Sequence, residues 1–233
     1  MKQNMTEEQF ARDEICRIGK SLFERSYVHA TAGNISIRLK DGFLITPTDA
    51  CLGFLEPTQL AKIDLQGQQV SGDRASKTMA LHAAIYQAAE QFDADTSCII
   101  HTHSTHCVAL TLDQRPAGQG ISSYPELLPA ITPYFVMKVG HVPLLPYMRP
   151  GDDAALDPVK NAIKHYGMLS KPIRALMLSR LGPYVWNNSP TAAMATLEEL
   201  EETAKLWQMK QGSVVPLTEE QLSQLRTAFA ARW

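Results

Sequence analysis

Two histidines stand one residue apart in the stretch Cys98-Ile99-Ile100-His101-Thr102-His103-Ser104-Thr105-His106. Side chains alternate across a β-strand, so His101 and His103 are expected on one face, close enough for two neutral imidazoles to hold one divalent metal ion. The competing reading is a strand whose histidines only satisfy local hydrogen bonds. Position favours the metal: an apolar run enters the pair, and Ser104 or Thr105 can cap a helix after it, where open α/β sheets keep their sites. His106 has the opposite parity and belongs in the first turn of that helix. Anion chemistry is suggested at two other places. Gly33 and Asn34 tolerate positive φ and can turn amides toward an anion, with the Thr46 and Thr48 hydroxyls on the neighbouring segment, although a plain turn explains Gly33-Asn34 equally well. Ser76, Lys77 and Thr78 head a helical pattern, and hydroxyls with a lysine at a helix N-terminus make a phosphate cradle. His82, one turn further, is either a packed residue or a ligand.

The elements that must carry these residues can be read in order. Thr6, with Gln9 three residues on, caps an amphipathic helix that ends near Arg25 or Ser26. Residues 34–39 and 43–46 alternate around Asp41-Gly42 as a hairpin, and 60–65 with 69–70 extend it as a meander. A helix from Ser76 delivers the chain to the His-x-His strand. Residues 113–130 form a long loop. Two strands, 134–139 and 142–145, flank Gly140-His141, and Tyr147 to Asp152 make a polar loop that leans over the site. A helix over 155–165, a strand over 175–178 and a second strand over 184–186 follow. A long helix over about 191–210 and a last one from Thr218 to Trp233 close the chain, the latter marked by its Thr-x-x-Gln capping signal.

The whole of 233 residues reads as one domain with a sizeable core. A charged fraction of 20% and a net charge of −2 give no basic footprint for nucleic acid. Cys16, Cys51, Cys98 and Cys107 are widely spaced, without a CxxC pair, which suits reduced core thiols. No basic-then-apolar leader and no apolar run of membrane-spanning length is present, so a soluble cytoplasmic protein without membrane or nucleic-acid partners is expected.

Six separated motifs then carry a resemblance: TAGNISIRL, FLITPTDACLG, ASKTMALHAAIY, HTHSTHCVALT, PYFVMKVGHVPLLPYMRPGD and LGPYVW followed by LEELEETAKLW. In this order, over nearly the whole chain, they resemble the class II aldolase/adducin family, most closely its branch of 3-oxo-tetronate 4-phosphate decarboxylases. The resemblance implies a three-layer α/β/α domain with a central, largely antiparallel sheet, in a homotetramer with sites between subunits. It also implies a divalent metal, zinc first, with manganese or iron as alternatives, on His101 and His103. The family's aldolases add a third histidine before a glycine and a glutamate before the helix histidine. Leu181 and Thr78 stand there instead, so further ligands are sought among His141, His106, Glu126, a neighbouring chain and the substrate. By the same resemblance Lys77, Thr78 and Tyr147 are the catalytic candidates, while Gly33, Asn34, Thr46, Thr48, Ser76 and Arg149 hold a phosphorylated sugar-acid substrate. The implied activity is decarboxylation of a phosphorylated four-carbon 3-oxo sugar acid. A sugar-phosphate aldolase and a non-catalytic adducin-like module are the alternatives.

Overall fold

A computed structural model describes residues 6–112 and 124–233. The described residues form one sheet of eight strands, ordered β4-β3-β2-β1-β5-β8-β7-β6. β1 (Asn34–Leu39), β2 (Gly42–Ile45), β3 (Ala61–Asp64) and β4 (Gln69–Ser71) are the expected meander, each antiparallel to the next. β5 (Cys98–His101) lies against β1 on one side and β8 (Gly182–Asn187) on the other, both antiparallel. β7 (Ala175–Leu178) pairs with β8 antiparallel, and only β6 (Leu144–Leu145) runs parallel to its neighbour, β7.

Alternation along these strands makes two cores. Ile35, Ile37, Ile100 and Val185 face α1 (Glu7–Glu24) and α5 (Pro190–Met209), which present Ile15, Ile18, Leu197 and Leu200. Ile45, Ile63, Ile99 and Trp186 point the other way, onto Leu81, Ile85, Val159 and Ile163 of α2 (Met79–Ala89) and α4 (Leu156–Met168). Apart from the exposed edge strand β4, the strands are covered on both faces, and the layering is α/β/α as expected.

Three local expectations are corrected. Residues 134–139 were expected as a strand, but Phe135–Val139 is a π-helix. Phe135, Val136 and Val139 are its buried residues, a helical spacing that an apolar run of this length cannot distinguish from alternation, and the Phe135 amide is capped by Thr132 Oγ1 at 3.1 Å. The terminal helix α6 (Glu219–Phe229) stops short of Trp233, because Ala230 turns left-handed at φ 51°. Trp233 then folds back to stack on His141, ring centroids 4.3 Å apart. Finally, neither Ser104 nor Thr105 caps α3 (Thr105–Leu110) through its side chain. Ser104 Oγ is occupied by Thr102 Oγ1 at 2.5 Å, and Glu201 of α5 accepts instead from the His106 and Cys107 amides at 2.8 and 2.9 Å. The loop expected over 113–130 lies outside the described residues as far as residue 123.

Candidate active site

The His-x-His pair does not owe its geometry to strand alternation. β5 ends at His101, and Thr102 and His103 lie in the turn to α3, yet the two rings meet edge to face with centroids 5.0 Å apart. The turn is held by the start of β8: a Cβ on Gly182 would stand 1.9 Å from the Thr102 carbonyl oxygen. The backbone of Gly33 approaches from the other side, less closely, since its Cβ would meet the His101 oxygen at 2.8 Å and its φ is +87°. Only glycine fits both positions.

His101 is fixed further. Its Nδ1 lies 2.9 Å from the Pro183 carbonyl, which can only accept, so Nδ1 carries the hydrogen and Nε2 keeps its lone pair. Tyr184, opposite it in the β5–β8 register, stacks on the ring at 4.0 Å and 11°. Burial holds the basicity of His101 well below that of free histidine, with the neighbouring His103 adding to the effect, and burial lowers His103 as well. Two neutral imidazoles are what a divalent metal requires, and the hydrogen bond to Pro183 orients the first of them as a ligand is normally oriented. No cluster of three or more His, Cys, Asp or Glu suited to a metal exists among the described residues. The described residues thus offer a metal two neutral imidazole nitrogens and no further clustered donor.

The two histidines line a cavity of about 170 Å³. Gly33, Asn34, Thr48, Ser76, Lys77, Thr78 and Arg149 line it too, so most of the residues singled out from sequence come together. Thr46 and Tyr147 do not line it. Thr46 is buried behind the wall, where its Oγ1 accepts from the Ile35 amide at 3.2 Å. Tyr147 is 58% exposed on the loop after β6. Ser76 and Thr78 join hydroxyls at 3.1 Å, and Thr78 also hydrogen-bonds the Tyr184 side chain.

The other candidate ligands are engaged elsewhere. His106 Nδ1 meets Glu201 Oε1 at 2.8 Å. His141 Nδ1 meets Glu126 Oε1 at 2.9 Å, and Tyr166 donates to the same oxygen at 2.7 Å. His82 is fully buried behind Asn34, with Nε2 2.5 Å from Asn34 Oδ1. Sequence reasoning placed Asp152 in the loop over the site without giving it a role, and missed Tyr184, Asp49 and Asp153. Asp49 faces Lys77 Nζ at 3.4 Å, while Asp152 caps Ala154 through Oδ1 and lies 3.6 Å from Arg149 Nε. The His101↔Tyr184 pairing was legible only once β5 and β8 were known to be neighbours.

The family description Class II Aldolase and Adducin N-terminal domain matches residues 13–208. The chain belongs to the class II aldolase/adducin family. Among relatives in this family, a Cupriavidus necator protein named 3-oxo-tetronate 4-phosphate decarboxylase is 48% identical over 98% of this chain and 100% of its own length. An Escherichia coli K12 protein of the same name is 40% identical over 85% of this chain and 86% of its own. The crystal structure of Klebsiella pneumoniae YgbL, described as a putative aldolase/epimerase/decarboxylase, superposes with a TM-score of 0.81 at 36% identity, over 95% of this chain and 100% of that one. An L-fuculose 1-phosphate aldolase, 22% identical over 98% and 99% of the two chains, shares the family fold with a TM-score of 0.77. No helix among the described residues is long and apolar enough to cross a membrane.

Proposed function

We propose that this chain is a lyase that decarboxylates a 3-oxo-tetronate 4-phosphate to dihydroxyacetone phosphate and carbon dioxide. The observation that carries the reading is the composition of the cavity wall in a chain 48% identical, end to end, to a relative bearing that activity's name. Two neutral imidazoles and the Lys77 ammonium share the cavity with the hydroxyls and amides of a phosphate cradle, and Thr78 places a hydroxyl where the resembling aldolases carry a glutamate.

The chemistry suits that inventory. As the C1–C2 bond breaks, its electron pair moves to the ketone oxygen, carbon dioxide departs, and C2 then takes a proton to give the ketose phosphate. The step needs stabilisation of charge on the ketone oxygen and no base at an alcohol. A divalent metal, zinc by donor type, bound to His101 Nε2 and His103 would supply Lewis-acid charge. Lys77 adds positive charge from its own wall and draws the substrate's carboxylate and phosphate inward. Asn34, Ser76 and Thr48 bind the phosphate oxygens with the Gly33 backbone, and Arg149 meets the substrate acid. Tyr147 is the proton donor in this reading, supplied to the cavity of a neighbouring chain in a homotetramer, which accounts for its exposure and its distance from its own cavity wall.

The test is a single assay following carbon dioxide and triose phosphate from 3-oxo-tetronate 4-phosphates, with fuculose 1-phosphate as the competing substrate. Stoichiometric release of both products is expected, with no cleavage of the aldol substrate, and Thr78→Glu is expected not to raise the rate. Efficient aldol cleavage without carbon dioxide would transfer the chain to the aldolase reading, which Asp49, Asp152 and Asp153 favour as possible bases. Mixing chains inactivated at His103 with chains inactivated at Tyr147 is expected to restore activity. Mixtures that stay inactive after verified subunit exchange would refute the shared site.

A further inference from the structure

Behind the cavity wall runs a buried chain of side-chain hydrogen bonds that the proposed chemistry does not use. Asn34 Oδ1 lies 2.5 Å from His82 Nε2, His82 Nδ1 lies 2.7 Å from Ser36 Oγ, and Ser36 Oγ lies 2.9 Å from the Tyr86 hydroxyl. Tyr86 also reaches the Ser97 carbonyl at 3.2 Å. Only Asn34 touches the cavity; His82 is fully buried, Ser36 likewise, and Tyr86 nearly so.

One atom sets the polarity of the chain. Asn34 Oδ1 can only accept, so His82 Nε2 carries a hydrogen. His82 is neutral, since burial away from any carboxylate lowers its basicity to about 3, and its Nδ1 must then accept from the Ser36 hydroxyl. Ser36, with its one hydrogen spent, accepts from Tyr86, whose single hydrogen is shared between Ser36 Oγ at 2.9 Å and the more distant Ser97 carbonyl at 3.2 Å. Every donor is thereby assigned, and both Nδ2 hydrogens of Asn34 remain free. Reversing the chain would turn the carbonyl oxygen of Asn34 into the cavity, where an anion would be repelled.

We propose that His82 is a positioning residue that, backed by Ser36 and Tyr86, locks the Asn34 carboxamide with its Nδ2 hydrogens directed at the phosphate of the substrate. This rests on Asn34 belonging to the phosphate cradle and deepens that assignment. His82 never touches substrate; it acts by denying Asn34 the flipped orientation that an exposed carboxamide would sample freely.

Binding of inorganic phosphate, measured by titration calorimetry, isolates the claim from decarboxylation, so failure of the chemistry and failure of this inference are separable. His82→Leu removes the donor to Oδ1 and is expected to weaken phosphate about tenfold. His82→Gln, whose amide can still donate to Oδ1, is expected to stay within about threefold of the parent. In an Asn34→Ala background, His82→Leu is expected to change phosphate affinity less than about twofold, because the group it positions is gone. An equal tenfold loss in that background would make His82 merely structural and overturn the inference, as would a parent protein that binds no phosphate. If the leucine variant does not fold, long-range nitrogen–proton correlations of the His82 imidazole in the unaltered protein decide the matter: a hydrogen on Nε2 is expected, and one on Nδ1 refutes it.

Discussion

Gly182→Ala tests whether the His-x-His turn is held from β8. At Gly182 φ is +138°, and the added methyl would lie 1.9 Å from the Thr102 oxygen and 3.2 Å from the His103 Cα. Ordinary contact requires more than about 3.2 Å between such atoms, so the Thr102 carbonyl must retreat by roughly 1.3 Å or the start of β8 must lift by as much. Either movement spoils the site, because Pro183, the next residue, accepts the hydrogen bond of His101 Nδ1, while the Thr102–His103 peptide carries the second imidazole. Backbone strain at a positive φ costs about 1–3 kcal/mol and overpacking a further 1–3, so a stability loss of roughly 2–5 kcal/mol is expected. A displacement near 1 Å at a catalytic group costs about 100-fold in rate. Urea unfolding gives the first quantity, and zinc titration with the decarboxylase assay gives the second. A variant that matches the parent in midpoint, metal affinity and turnover would show that the turn is not held from Gly182.

His103→Ala should lower metal affinity by more than the roughly 10–100-fold that loss of an outer hydrogen-bond partner costs, and elemental analysis of purified protein checks it. Glu201→Ala removes the acceptor of the His106 and Cys107 amides and should destabilise the fold by about 2–4 kcal/mol in urea, whereas Glu201→Gln, which keeps one oxygen, should cost less. His82 is neutral in the folded chain down to about pH 3 but titrates near 6.5 when unfolded, so stability is unaffected by it above pH 6.5 and falls as the unfolded chain takes up the proton below that. That one group should remove about 1.4 kcal/mol per pH unit and roughly 4–5 kcal/mol by pH 3, and urea midpoints of the parent and His82→Gln between pH 7 and 4 should diverge accordingly.

What was legible in the sequence was local. The Asp41-Gly42 turn, the caps at Thr6 and Thr218 and the strand alternation of residues 34–39 each depend on neighbours within a few positions, and the structure reproduces them. The nine cavity residues that sequence named were likewise found through short motifs. What was not legible depended on distant contacts. Glu201 caps a helix almost 100 positions earlier, Tyr184 reaches His101 across a strand pairing, and Trp233, beyond the end of its helix, stacks on the ring of His141. The π-helix at 135–139 was missed because a five-residue apolar run fits either period, and only the Thr132 cap distinguishes them.

The strand order has a consequence for how the protein is made. β5, which leads into the His101–His103 turn, pairs on one side with β1, which precedes it in the chain, and on the other with β8, which follows about 80 residues later. At a synthesis rate of roughly 5–20 residues per second, β5 stands as an apolar sheet edge for something like 4–16 s before its second neighbour leaves the ribosome. Cys98, Ile99, Ile100 and His101, all buried at the end, form during that interval an unpaired template for another nascent chain. The ladder that leads into the His101–His103 turn is therefore the one with the longest exposure to aggregation and the greatest sequence separation. Its closure is where a chaperone would act on yield, and where slow folding would be felt first, as a misplaced His101–His103 turn.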